Sequence, residues 1–350
     1  MRLYLRALLA MVAMSVCTAV PAFAQWEIED SGTRESLRGV SAVSGDVAWA
    51  SGTHGAVLRT LDSGRVWQRC STPEGAEELD YRGIVGFDAK TAIVISSGKG
   101  ALSRLYKTTD GCGSWKLVAT NPDAEGFWDA LVAADQKSIT ILGDPVGRKF
   151  VVRSSNDGGA TWTNEAMDAA AQGEGAFAAS NSSLVIASKA GFFGTGGPEG
   201  ARLFVRAEGK WSARTMPTFA KGESAGIFSI AAADAEHLVA VGGDYKRPDA
   251  AEGNAAWSED GGRNWHAAAA GPHGYRSAVA YNAKAKQWIA VGPSGTDVSR
   301  DGGRTWGAVK PRRDEVADTD AEWNALSLPF VVGPKGRIGR WRGGAVRGAK

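Results

Sequence analysis

"SSNDGGATW" (residues 154–162) stands in mid-chain, preceded by "FVVR" and followed by Thr163. It is polar, rich in glycine and closed by tryptophan. Four other stretches nearly repeat it: "TLDSGRVW" (60–67), "TTDGCGSW" (108–115), "SEDGGRNW" (258–265) and "SRDGGRTW" (299–306). Five copies make a repeat, and a repeat decides the architecture before any single motif is read.

Aligned on this phrase, the chain divides into seven units. Each opens with a short apolar run: "LRGVSAV", "YRGIVGF", "FWDALVAA", "GAFAAS", "GIFSIAAA", "YRSAVAY" and "WNALSL". A second apolar strand follows, then a third, the Asp-Gly turn, and a strand headed by tryptophan. This spacing predicts an all-β fold, a seven-bladed β-propeller of four-stranded antiparallel blades. The seventh unit stops at "GRIGRW", one strand short. "QWEIED", from Gln25, matches the Trp-headed fourth strand. The N-terminal strand is therefore expected to close the ring, which removes free sheet edges. The propeller is expected over residues 25–341, with 342–350 a basic tail. The fourth unit departs from the pattern, because "RAEGKW" is shorter and has no Asp.

Within the repeat, the Asp accepts hydrogen bonds from the backbone of its own turn. The glycines supply the positive φ that a tight hairpin needs. The tryptophan covers the turn, burying on the order of 200 Å². One carboxylate per loop is too few for calcium. The repeat reads as a structural staple.

Residues 1–24 of the 350 have the form of a secretory signal: Arg2 and Arg6, an apolar run over 7–20, and Ala22-Phe23-Ala24 before a cleavage expected at Gln25. The mature protein is expected to be periplasmic or secreted, a monomer, with no membrane insertion after cleavage. Removing residues 1–24 leaves 38 basic against 38 acidic residues. That balance gives no electrostatic reason to bind nucleic acid. The mature chain keeps Cys70 and Cys112, and an oxidising compartment permits either a bridge or two buried thiols. The four histidines lack metal-ligand spacing, and no cofactor motif is present, so neither metal nor cofactor is expected.

The repeated phrase resembles the Asp-box of bacterial neuraminidases, which marks a blade turn in enzymes and non-enzymes alike. The chain as a whole resembles the photosystem II stability and assembly factor family, on "YKTTDGCGSWKLVATNPDAEGFWDA" (106–130), "GDYKRPD" (243–249) and "AVGPSGTDVSRDGGRTW" (290–306). The resemblance implies a seven-bladed, extracytoplasmic propeller that helps membrane proteins assemble.

Strand direction alternates within a blade. The loop entering the first strand and the loop joining strands two and three therefore share one face, opposite the Asp-boxes. Onto this face the pattern places Arg38, Arg82, Trp128, Asp129, Glu174, Tyr275, Arg276 and Asn324, ringed by Asp144, Asp244 and Lys246. Arginines suit a carboxylate-bearing partner. Paired carboxylates serve glycoside cleavage. Two functions are thus open at the channel mouth: binding of a protein client, as an assembly factor would, or exo-acting hydrolysis of an acidic glycan. For hydrolysis Asp129, Glu174, Asp144, Asp244 and Tyr275 are the catalytic candidates. Arg38, Arg82, Arg276, Trp128, Lys246 and Asn324 are the ligand-binding candidates. The alternative to both is that these charges pair across blades and brace the channel.

Overall fold

Residues 26–187, 190–309 and 319–342 are described by the computed structural model. The signal peptide expected over 1–24 and all of the basic tail except Arg342 lie outside the described residues. Seven sheets, antiparallel but for one short pairing, succeed one another along the chain, and among the described residues the only helical element is a 3-10 turn at Gly100–Leu102. For blades 1 to 7 the innermost strands are Leu37–Ala42, Tyr81–Gly86, Trp128–Ala133, Leu184–Ala187, Gly222–Ala232, Ala278–Asn282 and Ala325–Ser327. The second strands, such as Ala92–Ser96 and Leu238–Asp244, are buried along their whole length. They are covered on both faces by neighbouring blades, and so read as apolar runs rather than alternations.

The ring closes as the repeat requires. Trp26–Glu29 pairs antiparallel with Ile338–Trp341, with Trp26 opposite Trp341, and forms the outer strand of blade 7. The Trp26 side chain is fully buried. Its ring lies 4.8 Å from Trp341 and 5.9 Å from Trp323, and its Nε1 donates to Thr296 Oγ1 of blade 6 at 3.0 Å.

Blade 4 differs from the sequence reading. "GAFAAS" (175–180) is not its first strand; that place is taken by Leu184–Ala187. Residues 175–183 instead cross the channel mouth, because their polar groups find partners on other blades. Asn181 Oδ1 accepts from Leu131 N of blade 3 at 2.7 Å, and Ser180 Oγ donates to Ser277 O ahead of blade 6 at 2.7 Å. A Cβ at position 83 would sit 2.4 Å from Asn181 Oδ1, so only glycine fits there. Two sheets also gain a fifth strand. Ala166–Met167 runs parallel to Lys210–Thr215 in blade 4, and Gly196–Gly197, from a blade 4 loop, pairs with Gly222–Ala232 of blade 5. Both additions stitch blades together and are too short to show as a pattern.

The five repeated turns share one hydrogen-bond circuit. The leading Ser or Thr donates to the Asp two residues on, at 2.8–3.0 Å, as in Ser155 to Asp157. The same hydroxyl accepts from the backbone N–H four residues on. The Asp in turn accepts the N–H four residues beyond itself. Two successive residues have positive φ, as in Gly158 (75°) and Gly159 (94°). Cys112 occupies the second of these positions in blade 2 (φ 67°) and is bridged to Cys70 of blade 1. The bridge resolves the open cysteine question and clasps two adjacent blades.

Truncating Trp26 to Ala is expected to cost about 3–5 kcal/mol, the usual loss for a buried tryptophan. Urea unfolding monitored by circular dichroism measures it; a midpoint equal to wild type would refute closure by this strand.

The turn carboxylates of Asp110, Asp157 and Asp260 are held down to about 2, chiefly by backbone N–H and side-chain donors four residues on: a hydroxyl for Asp110 and Asp157, the Asn264 amide for Asp260. Their ionised form thus stabilises the fold above the unfolded value of 3.8, and this contribution is lost as pH falls towards 2. Asp157→Ala is expected to lower Tm at pH 7, with the difference from wild type vanishing near pH 2. EDTA is expected to change neither melt.

Candidate functional site

Four innermost strands carry a β-bulge at the same level. The register skips Arg38 between Leu37 and Gly39, Arg82 between Tyr81 and Gly83, Asp129 between Trp128 and Ala130, and Phe228 between Ile227 and Ser229. A bulge leaves one residue out of the ladder and re-aims its side chain. All four bulged residues line one cavity of about 410 Å³ at the channel mouth. Asp144, Tyr245, Tyr275, Trp323 and Asn324 line it as well, with the crossing segment Ala176–Ala179.

The cavity has a cationic side and an aromatic side. Arg82 pairs with Asp80 at 2.7 Å and reaches Ala178 O at 3.3 Å. Arg38 makes no ion pair among the described residues, and its Nε is shielded from solvent with no hydrogen-bond partner. Burial, then the neighbouring Arg82 charge, holds the Arg38 guanidinium below its ordinary pKa. A guanidinium in this state gains strongly from an incoming anion. In the same cavity, Phe177 stacks on Phe228 at 3.8 Å, and Tyr275 meets Phe228 edge-on at 4.7 Å. Tyr245 stands at the rim, 47% exposed.

Two carboxyls share the site. Asp129 is 1% exposed and its Oδ2 has no partner. Burial, then the charge of Asp144, pushes its pKa well up, which favours the protonated carboxyl. Asp144 is raised by burial too, while the bond from Ala176 N (2.9 Å) acts in the opposite sense.

Other residues placed at the mouth by the sequence have different partners. Glu174 accepts from Thr195 Oγ1 at 2.5 Å and from both Nε and Nη2 of Arg202, bracing the blade 4 loop. Arg276 is 1% exposed and locked on buried Asp297. Asp244 accepts from Ser224 Oγ at 2.6 Å and Arg247 Nε at 2.8 Å. Trp128 is fully buried between blades, and Lys246 is an exposed rim residue. None of these five is among the cavity's lining residues. Asn324 lines it while donating to Leu37 O at 2.8 Å. Phe177 and Phe228 were missed because the signal for each is a lone Phe in a short apolar run. No group of His, Cys, Asp and Glu among the described residues is arranged to hold a metal.

Fold and mouth together define a seven-bladed Asp-box propeller with a cationic, aromatic pocket on its axis. The model of the photosynthesis system II assembly factor YCF48 family matches residues 18–342, and the chain belongs to that family. Comparison with curated proteins gives no match. Among solved structures, YCF48 bound to a D1 peptide aligns over 93% of this chain and all of that one, at 15% identity and TM-score 0.66. YCF48 from Cyanidioschyzon merolae covers 91% of this chain and 99% of its own, at 17% identity and TM-score 0.61. An ancestral GH74 enzyme covers 90% of this chain and 46% of its own, at 13% identity and TM-score 0.57. At these identities the likeness is one of fold.

Because its folded pKa is raised, the buried Asp129 contributes stability that is full at low pH and lost as pH climbs through that value. Asp129→Asn lacks this slope. Its Tm, relative to wild type, is expected to rise between pH 4 and pH 8. Parallel curves would mean that Asp129 ionises freely.

Proposed function

We propose that this protein is an extracytoplasmic client-binding module of the assembly-factor type, which holds a segment of another protein chain at its channel mouth. The observation that carries the reading is the unpaired, half-buried Arg38 guanidinium in the same cavity as the Phe177–Phe228 shelf. A peptide offers both things this pocket lacks, an anionic group for the arginines and apolar side chains for the rings. The family membership supports a role in assembly, and its relative with a bound D1 peptide supports a peptide as the ligand class. A photosystem client is not part of the proposal. The leader-like residues 1–24 and the Cys70–Cys112 bridge support a periplasmic or secreted location.

A second reading, hydrolysis of an acidic sugar, draws on Asp129 and Asp144, a raised acid beside another carboxyl. One experiment separates the two. Tagged protein carrying a photo-crosslinker in place of Tyr245 is exposed to periplasmic extract, beside a fluorogenic sialoside and uronide panel. The expected result is a crosslinked client lost on Arg38→Ala at unchanged Tm, with no glycoside turnover. Turnover abolished by Asp129→Asn would overturn the client reading in favour of the enzyme.

A further inference from the structure

A second cavity, of about 560 Å³, opens beside the first. Two loops form it: residues 217–220, which lead into blade 5, and the connection from Asp244 to Gly253 between that blade's second and third strands. Pro217, Phe219, Ala220, Ala250 and Ala251 form its apolar walls, and Thr218, Arg247 and Glu252 line its polar side. The loops are pinned against each other, Ala220 N donating to Gly253 O at 2.9 Å. A Cβ at Gly253 would meet Ala220 N at 2.7 Å, so the wall depends on that glycine.

Two polar groups in this cavity are underused. The Thr218 hydroxyl is shielded from solvent and has no partner among the described residues. Arg247 gives its Nε to Asp244 Oδ2 at 2.8 Å, and its terminal amino groups have no partner among the described residues. Asp244 is already satisfied by Ser224 Oγ and Lys246 N, which fixes the turn. The turn is shared: Asp244 and Arg247 line the second cavity, and Tyr245 lines the first.

We infer that the client site extends over the Asp244–Arg247 turn into this second cavity, which takes an apolar side chain of the same extended peptide. The Thr218 hydroxyl and the Arg247 amino groups meet that peptide's backbone carbonyls, while the first cavity takes an acidic residue at Arg38. The inference rests on the client reading above. It adds a sequence preference: an acid and a bulky aliphatic or aromatic residue at fixed spacing. Ten extended residues span about 33 Å, long enough to cross one turn.

The test pans a randomised ten-residue peptide library on wild type and on Ala251→Trp, an exposed wall position whose substitution fills the cavity. The acid–apolar pair is expected to be enriched on wild type. On Ala251→Trp, at unchanged Tm, the acid is expected to persist while the apolar preference disappears, and the selected peptide binds at least tenfold more weakly. The same pair enriched on Ala251→Trp would overturn the extension and leave the client reading standing. If wild type enriches no peptide, the client reading falls, and N-acetyl-leucinamide decides the cavity by NMR. Amide shifts at Phe219, Ala250 and Ala251, lost in Ala251→Trp, would sustain an apolar side-chain site; no shifts would overturn it.

Discussion

Four residues at the start of the described chain hold the ring. Trp26–Glu29 pairs with Ile338–Trp341, so the last blade contains both ends of the described chain and no sheet edge stays open between first and last. With the ring closed, seven innermost strands converge on one axis, and side chains from distant parts of the sequence are forced together. Arg38 and Asn324 belong to opposite ends of the chain, yet the Asn324 side chain donates to Leu37 O. The mouth site is a consequence of closure rather than of any local motif.

Convergence creates a second demand, because an axis lined by regular strands leaves little room for long side chains. The bulges at Arg38, Arg82, Asp129 and Phe228 meet it by turning one side chain per strand out of the ladder and into the mouth. The crossing segment 175–183 fills part of the remaining space and brings Phe177 against Phe228. The resulting pocket stores unfavourable charge. One arginine has no counter-ion, and one carboxyl is too deeply buried to ionise easily. Such arrangements are stable only within a rigid frame, and they are the usual mark of a binding or catalytic site. The frame here is the set of Asp-box turns on the opposite face, with the Cys70–Cys112 clasp between the first two blades.

The charges at the mouth divide into two groups. Glu174 with Arg202 and Arg276 with Asp297 are braces, the second pair fully buried and the first with its carboxylate buried. Arg38, Asp129 and the aromatic shelf are not closed on themselves, and the functional reading rests on them. From sequence the groups looked alike, since each residue stands just ahead of an expected inner strand. Their partners come from third strands, as with Arg202 and Asp297, and no spacing rule predicts those contacts.

The sequence by itself determined the all-β class, the seven units, the closing strand and the structural role of the Asp-boxes. Each of these depends on contacts within one unit or on a period repeated five times, and both leave a local record in the residues. It also placed Arg38, Arg82, Asp129 and Asp144 on one face, because strand direction alternates regularly. Only the tertiary structure decided that "GAFAAS" leaves its blade to cross the mouth, since Asn181 and Ser180 are bound by blades far away in the chain. Only the tertiary structure separated braces from open groups, because whether a charge is paired depends on what lies across the axis. The bulges were likewise invisible in one dimension. A single extra residue shifts the alternation only at one point of a short strand, yet it decides which side chain faces the mouth.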